Sequence, residues 1–244
     1  MLNRRHIRIK VLQLLYSKTT GKIDNKSLLK HFDLSTQNFY KLFLTQIILF
    51  KEIFNESTRF INLNEKKYFK KDSKKIKKLF SENILLKSID SDKYLVKASE
   101  KFNINYWVNN NNKVQNIFNE IINSEFFIDY SKNQSFFTQD IYKNVITLSD
   151  DLFDFYEDCE IGWVDDFPLV NSIILNWIIN KSIDKSIKVP RKIFKDRSDK
   201  KFGKELFKIA VKDDKNIQDL INEYTPEWDN DRIAVIDMII LKMC

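Results

Sequence analysis

Glycine and proline are scarce in this chain, with three of each in 244 residues: Gly21, Gly162, Gly203 and Pro168, Pro190, Pro226. So few turn-forming residues imply long helices. The scarcity also excludes a GxGxxG dinucleotide loop or a Walker A loop, because each needs clustered glycine for close backbone approach to phosphate. Cysteine occurs only at Cys159 and Cys244, too sparse for a disulfide framework or a thiolate zinc site and in keeping with a reducing cytosol. No run approaches the roughly 20 apolar residues of a membrane span. The start also lacks the apolar stretch and small-residue cleavage site of a signal peptide. The expectation is a soluble, cytoplasmic protein without a membrane partner.

What is present is a substantial apolar content, 43%, sufficient for a core, and 41 Lys+Arg against 34 Asp+Glu, a formal charge of +7. A moderate basic excess favours a polyanionic partner, and its local clustering matters more than its sum. The clearest cluster opens the chain. Arg4, Arg5, His6, Arg8 and Lys10 run directly into Val11-Leu12-Gln13-Leu14-Leu15-Tyr16. Asn3 is suited to cap the helix, and Ile7, Val11, Leu14 and Leu15 follow the i, i+4, i+7, i+8 spacing of a buried stripe. Ile9, Leu12 and Tyr16 widen the apolar arc, so the spacing predicts a largely buried helix body ending near Tyr16-Ser17. Three arginines in the first turns oppose the helix dipole, where acidic residues would be favoured by about 0.3–1 kcal/mol each. Guanidinium forks together with the free N–H groups of a helix start make an anion site, and phosphate is the fitting ligand.

Beyond a polar break around Gly21, a short apolar-periodic segment covers 27–32. Asp33-Leu34-Ser35-Thr36 reads as the cap of a long helix carrying Phe39, Leu42, Phe43, Ile47, Phe50 and Phe54. Lysines at 66, 67, 70, 71, 74, 75, 77 and 78, with Tyr68 and Phe69 among them, could form a stacking platform for single strands. Without arginine or a strong apolar period they read more simply as a solvated rim or connector. The asparagines at 109–112 mark a turn. Helical stripes follow at Val114, Ile117, Phe118 and Ile121, then at Phe137, Ile141 and Val145. Pro168 suits the first turn of a helix behind Asp165-Asp166, Phe202, Leu206, Phe207 and Ala210 form a further stripe, and a last helix begins near Trp228. No segment alternates at period two, so the fold class is all-α.

Catalytic groupings are lacking. His31 stands alone beside Phe32. Cys159 follows Glu157-Asp158, a setting that raises a thiol pKa and discourages nucleophilic use. The pairs Asp150-Asp151 and Asp165-Asp166 each precede a helical stripe and read as caps rather than metal ligands. The expectation is a protein that is not an enzyme and needs no cofactor or metal.

Two separated motifs carry a resemblance. The N-terminal RRHIRIKVLQLLY, with Gln13 and Tyr16 at a Gln-x-x-Tyr step, and the C-terminal Trp228-Asp229-Asn230-Asp231-Arg232-Ile233-Ala234-Val235-Ile236-Asp237-Met238-Ile239-Ile240-Leu241 together resemble the transcription antitermination factor NusB. Ser124-Glu125-Phe126-Phe127 and Ile161-Gly162-Trp163-Val164-Asp165-Asp166 are similar to the extended form of that family in the Bacteroidetes. The resemblance implies a helical bundle of two subdomains with a long helical insertion: residues 1–62 with the basic helix, 63–190 as extension, and 191–244 as the start of the C-terminal subdomain. It further implies binding of single-stranded boxA-type ribosomal RNA leader together with the ribosomal protein NusE, within the RNA polymerase antitermination complex. Arg4, Arg5, His6, Arg8, Gln13 and Tyr16 would meet RNA, with Tyr16 also near NusE. Two other readings stand beside it: the NusB-like helical domain of RNA cytosine methyltransferases, and an interaction module without RNA binding. The family carries further helices after the Ile-Asp-x-x-Ile-Leu step, so one side of the last helix here is expected to be apolar and uncovered.

Overall fold

The computed structural model describes every residue except 22, 65–69, 129, 131–133, 182–186 and 230–231. In chain order the helices are α1 (Arg4–Thr20), α2 (Asn25–Asn64), α3 (Lys70–Ile76), α4 (Ile84–Asp90), α5 (Lys93–Phe102), α6 (Tyr106–Asn109), α7 (Asn111–Asn123) and α8 (Glu125–Ile128). They continue with α9 (Gln134–Asn144), α10 (Asp150–Cys159), α11 (Trp163–Lys181), α12 (Asp199–Lys212), α13 (Asp214–Tyr224) and α14 (Val235–Lys242). A π-helical turn follows α3 and a 3-10 turn follows α9. Among the described residues no strand forms beyond one isolated bridge, Leu2 with Phe194, and the chain is all-α.

Contacts divide the chain into two compact units, residues 1–37 with 191–244 and residues 38–190. In the first, α1 packs on α12 and α14, and α13 packs on both of these. Its core includes Leu2, Ile7, Val11, Leu28, Phe32 and Phe207. In the second, the part of α2 from Asn38 onward carries the buried residues Phe39, Phe43, Ile47 and Phe50. Polar side chains lock this stretch. The Trp107 indole donates to the Thr45 carbonyl at 2.8 Å, the Trp163 indole to the Asn38 carbonyl at 3.0 Å, and the Tyr142 hydroxyl to Gln46 Oε1 at 2.6 Å. Aromatic rings fill one end, where Phe80 meets Phe118, Phe127 and Phe137 edge-on or tilted.

Several helix boundaries differ from the sequence reading. The 33–36 stretch is no cap: α2 runs through it, opening about two turns earlier behind Asp24, whose Oδ1 accepts from the Lys26 and Ser27 amides. Ser35 and Thr36 instead bond back to carbonyls three residues earlier, and Asp33 finds lysine partners on α12, so none of them competes with the helix. α1 continues to Thr20 for the same reason, with Ser17, Thr19 and Thr20 hydroxyls donating to carbonyls four residues back. Pro168 lies inside α11, not at its start: the buried Trp163 opens that helix, and Asp165 and Asp166 sit in its first turn. Asp150 and Asp151 likewise occupy the first turn of α10, where Ser149 is the cap. The last helix starts at Val235. Before it, the Trp228 and Arg232 amides close i, i+3 turns onto Thr225 and Asp229 in place of helical bonds. The lysine run is only partly described: Lys66, Lys67, Tyr68 and Phe69 lie outside the described residues, while Lys75 donates to the Ile128 carbonyl at 2.6 Å.

Candidate nucleic-acid interface

The basic head is built from the backbone outward. Leu2 is fully buried, its N–H donating to the Ile193 carbonyl at 2.8 Å and its carbonyl accepting from the Lys195 amide at 2.7 Å. This ties the residues before α1 to those before α12. Asn3 then caps α1: its Oδ1 accepts from the His6 amide at 3.2 Å, and the Asn3 amide donates to His6 Nδ1 at 3.4 Å. The expected stripe of Ile7, Val11, Leu14 and Leu15 is buried, and it takes Lys10 in with it.

The helix-dipole penalty is offset at Arg4 from α12. Arg4 Nε lies 3.6 Å from Oδ1 of Asp199, whose carboxylate is almost wholly buried and also accepts from the Asp196 amide. One turn further along α12, the Phe202 ring receives two guanidinium groups, Arg4 at 5.0 Å and Arg8 at 5.2 Å from its centroid. Arg4 and Arg8 are one turn apart on α1, as Asp199 and Phe202 are nearly so on α12, so the two faces match in register. Gly203 permits that approach. A Cβ there would come within 2.4 Å of Phe32 Cζ and 2.7 Å of Ile7 Cγ2.

The predicted site residues are therefore only partly brought together. Arg4 and Arg8 converge on Phe202, and Arg4 remains 59% exposed. Arg5 and Arg8 are exposed and carry no ion pair among the described residues. His6 is half-buried in the capping box, and its pKa is lowered by burial first and then by Arg5 and the N-terminal ammonium. It serves the cap as a neutral ring. Gln13 is half-buried, whereas Tyr16 is 45% exposed. With about 100° between successive residues, Arg5, Arg8, Ile9, Leu12 and Tyr16 share the face opposite the core stripe, and roughly 18 Å separates Arg4 from Tyr16 along the axis. The apolar arc is thus narrower than expected, since Ile9 is 48% exposed.

Charge is segregated between the units. Residues 1–37 with 191–244 hold 20 Lys+Arg against 13 Asp+Glu, and residues 38–190 hold 21 of each, so the entire excess belongs to the first. Within that unit, residues 1–37 and 191–208 hold 16 cations against five acids, whereas 209–244 hold four against eight. The sequence reading missed the second basic segment and Phe202. The signal is eight cations among the eighteen residues 191–208 immediately after Pro190, overlapping the apolar stripe of Phe202, Leu206, Phe207 and Ala210. Two of these, Lys200 and Lys204, close on Asp33 at 2.9 and 2.6 Å. Burial pushes the Asp33 pKa up, but the lysine hydrogen bonds outweigh it and the carboxyl is held below its ordinary value.

An apolar surface adjoins the head. Val235, Ile236 and Ile240 of α14 are exposed, and a shallow groove of about 410 Å³ is lined by Arg8, Ile9, Leu12, Ile240, Met243 and Cys244. The uncovered side expected of the last helix is present. Among the described residues no cluster of His, Cys, Asp and Glu is placed to hold a metal, and no helix is long and apolar enough to cross a membrane. The half-buried Cys159 thiol is pushed up in pKa by burial and then by Asp158 and Glu160. Comparison with protein-family models, curated proteins and solved structures finds no significant match in any of the three.

Proposed function

We propose that this chain is a non-enzymatic, cytoplasmic RNA-binding protein of the NusB antitermination type, gripping single-stranded boxA-like ribosomal leader RNA through the head of α1. One observation supports the reading: Arg5 and Arg8 stand exposed at a helix start with no ion pair among the described residues, in the unit that holds all of the net charge. Guanidinium groups and helix N–H groups favour phosphate oxygens and fix register without reading sequence. Tyr16 supplies an exposed ring on the same face for a base or a protein partner. NusE and the RNA polymerase antitermination complex are the partners this reading implies.

The test is the salt dependence of affinity for a boxA-type single strand. Replacing Arg4, Arg5 and Arg8 by alanine should flatten log K against log salt by about 0.7 per lost phosphate contact, about 1.4 from Arg5 and Arg8, with less from Arg4 because Asp199 engages it. A pull-down with NusE, with and without RNA, tests the partner. A second reading, an interaction module without RNA binding, draws on the exposed apolar residues Ile9, Ile236 and Ile240. It predicts NusE capture with no measurable RNA affinity at any salt.

A further inference from the structure

Four of the cations near the α1 head are already engaged. Lys200 and Lys204 hold Asp33, Arg4 faces Asp199, and Lys201 pairs along its own helix with Glu205 at 3.4 Å. Lys192, Lys195 and Arg197 are different. All three are exposed, and none makes an ion pair among the described residues. They belong to the segment that the Leu2 backbone bonds hold against the start of α1. The contact of Arg4 with Asp199 and Phe202 brings the starts of α1 and α12 together, so the positive ends of two helix dipoles meet at one place. The acids there are Asp199, buried under Arg4, and the exposed Asp196.

We infer that Lys192, Lys195 and Arg197 form the second half of a single-strand surface whose first half is Arg5 and Arg8, so that one RNA strand runs across both segments. The inference rests on the RNA-binding reading above and extends it to residues 192–197. Phe202 is a positioning residue in this arrangement: its ring is occupied by the Arg4 and Arg8 guanidiniums and holds them in place. Because the paired lysines are spent on Asp33 and Glu205, they contribute less to the strand than the three unpaired cations do.

The experiment compares four forms of the full chain by fluorescence anisotropy with a short uridine-rich RNA, over about 50 to 200 mM salt. The forms are wild type, Arg5→Ala with Arg8→Ala, Lys192→Ala with Lys195→Ala and Arg197→Ala, and a control with Lys87→Ala, Lys93→Ala and Lys97→Ala in the charge-neutral unit. The double variant should flatten the salt slope by about 1.4 and the 192/195/197 variant by about 2. The control should match wild type. Since the three side chains are exposed, circular dichroism melts should be unchanged, and a fifth form, Lys192→Arg with Lys195→Arg, should bind as wild type does. Wild-type binding that falls in the double variant but stays intact in the 192/195/197 variant overturns this inference and leaves the α1 reading standing. A control variant as weak as the 192/195/197 variant overturns it too, because the attraction is then diffuse. No wild-type binding at any salt sinks the α1 reading itself.

Discussion

Gly203→Ala is the sharpest perturbation of the structure that presents the basic head. On an isolated helix the change is favourable, by about 0.8–1 kcal/mol. Here the added methyl would sit 2.4 Å from Phe32 Cζ, 2.7 Å from Ile7 Cγ2 and 3.0 Å from Phe32 Cε2. Phe32 and Ile7 are both fully buried, so neither side chain can swing into solvent. Relief requires α1 and the start of α2 to move away from α12, an overpacking cost at the upper end of about 1–3 kcal/mol. The steric term wins, leaving a net destabilisation of about 2 kcal/mol. Hydrogen exchange is the fitting assay, because the loss falls on one unit of a chain with two. The amides of Val11, Leu14 and Leu15 should exchange roughly 30-fold faster, at about 1.4 kcal/mol per tenfold, while those of Ile47 and Phe50 stay unchanged. The accompanying displacement of Phe202 should weaken RNA binding as well. Slower exchange in α1, with helix propensity dominating, would refute the packing argument.

Three smaller perturbations test its surroundings. Phe202→Leu keeps an apolar side chain but removes the ring beneath Arg4 and Arg8; with each contact worth about 0.5–1 kcal/mol, RNA affinity should fall five- to thirtyfold while the salt slope holds, and a changed slope would mean that Phe202 does more than position cations. Asp33 is held below its ordinary pKa of 3.8 against the opposing effect of burial, so its lysine contacts stabilise the fold above that value and are lost as pH falls through the folded pKa. Asp33→Asn should therefore lower the urea midpoint at pH 7 and make little difference near pH 2; an equal deficit at both would exclude the ionic account. His6 has the same sign, acting at higher pH. Its folded pKa lies below 6.5, so the unfolded chain binds the proton first and the fold loses stability as pH falls through 6.5. An NMR titration of the ring with its midpoint above 6.5 would contradict the neutral capping role.

The all-α class, the Asn3 cap and the buried stripe of α1 were legible in the sequence, because periodicity and capping act over a few residues and leave local signatures. The raised thiol pKa of Cys159 was legible as well, since part of its cause, Asp158, is its neighbour in the chain. Tertiary structure decided the rest. Asp33 could have been a cap; Lys200 and Lys204, more than 160 residues away, made it an ion-pair partner inside a continuous helix. Ile9 and Tyr16 could have been core, but α12 and α14 cover the other side of α1. The charge count along 191–208 was visible, yet nothing local says that this segment lies beside Leu2, or that Phe202 gathers Arg4 and Arg8. Those relations depend on the long-range fit of α1 to α12 at Gly203, where the deciding quantity is space between surfaces that the chain brings together only when it folds.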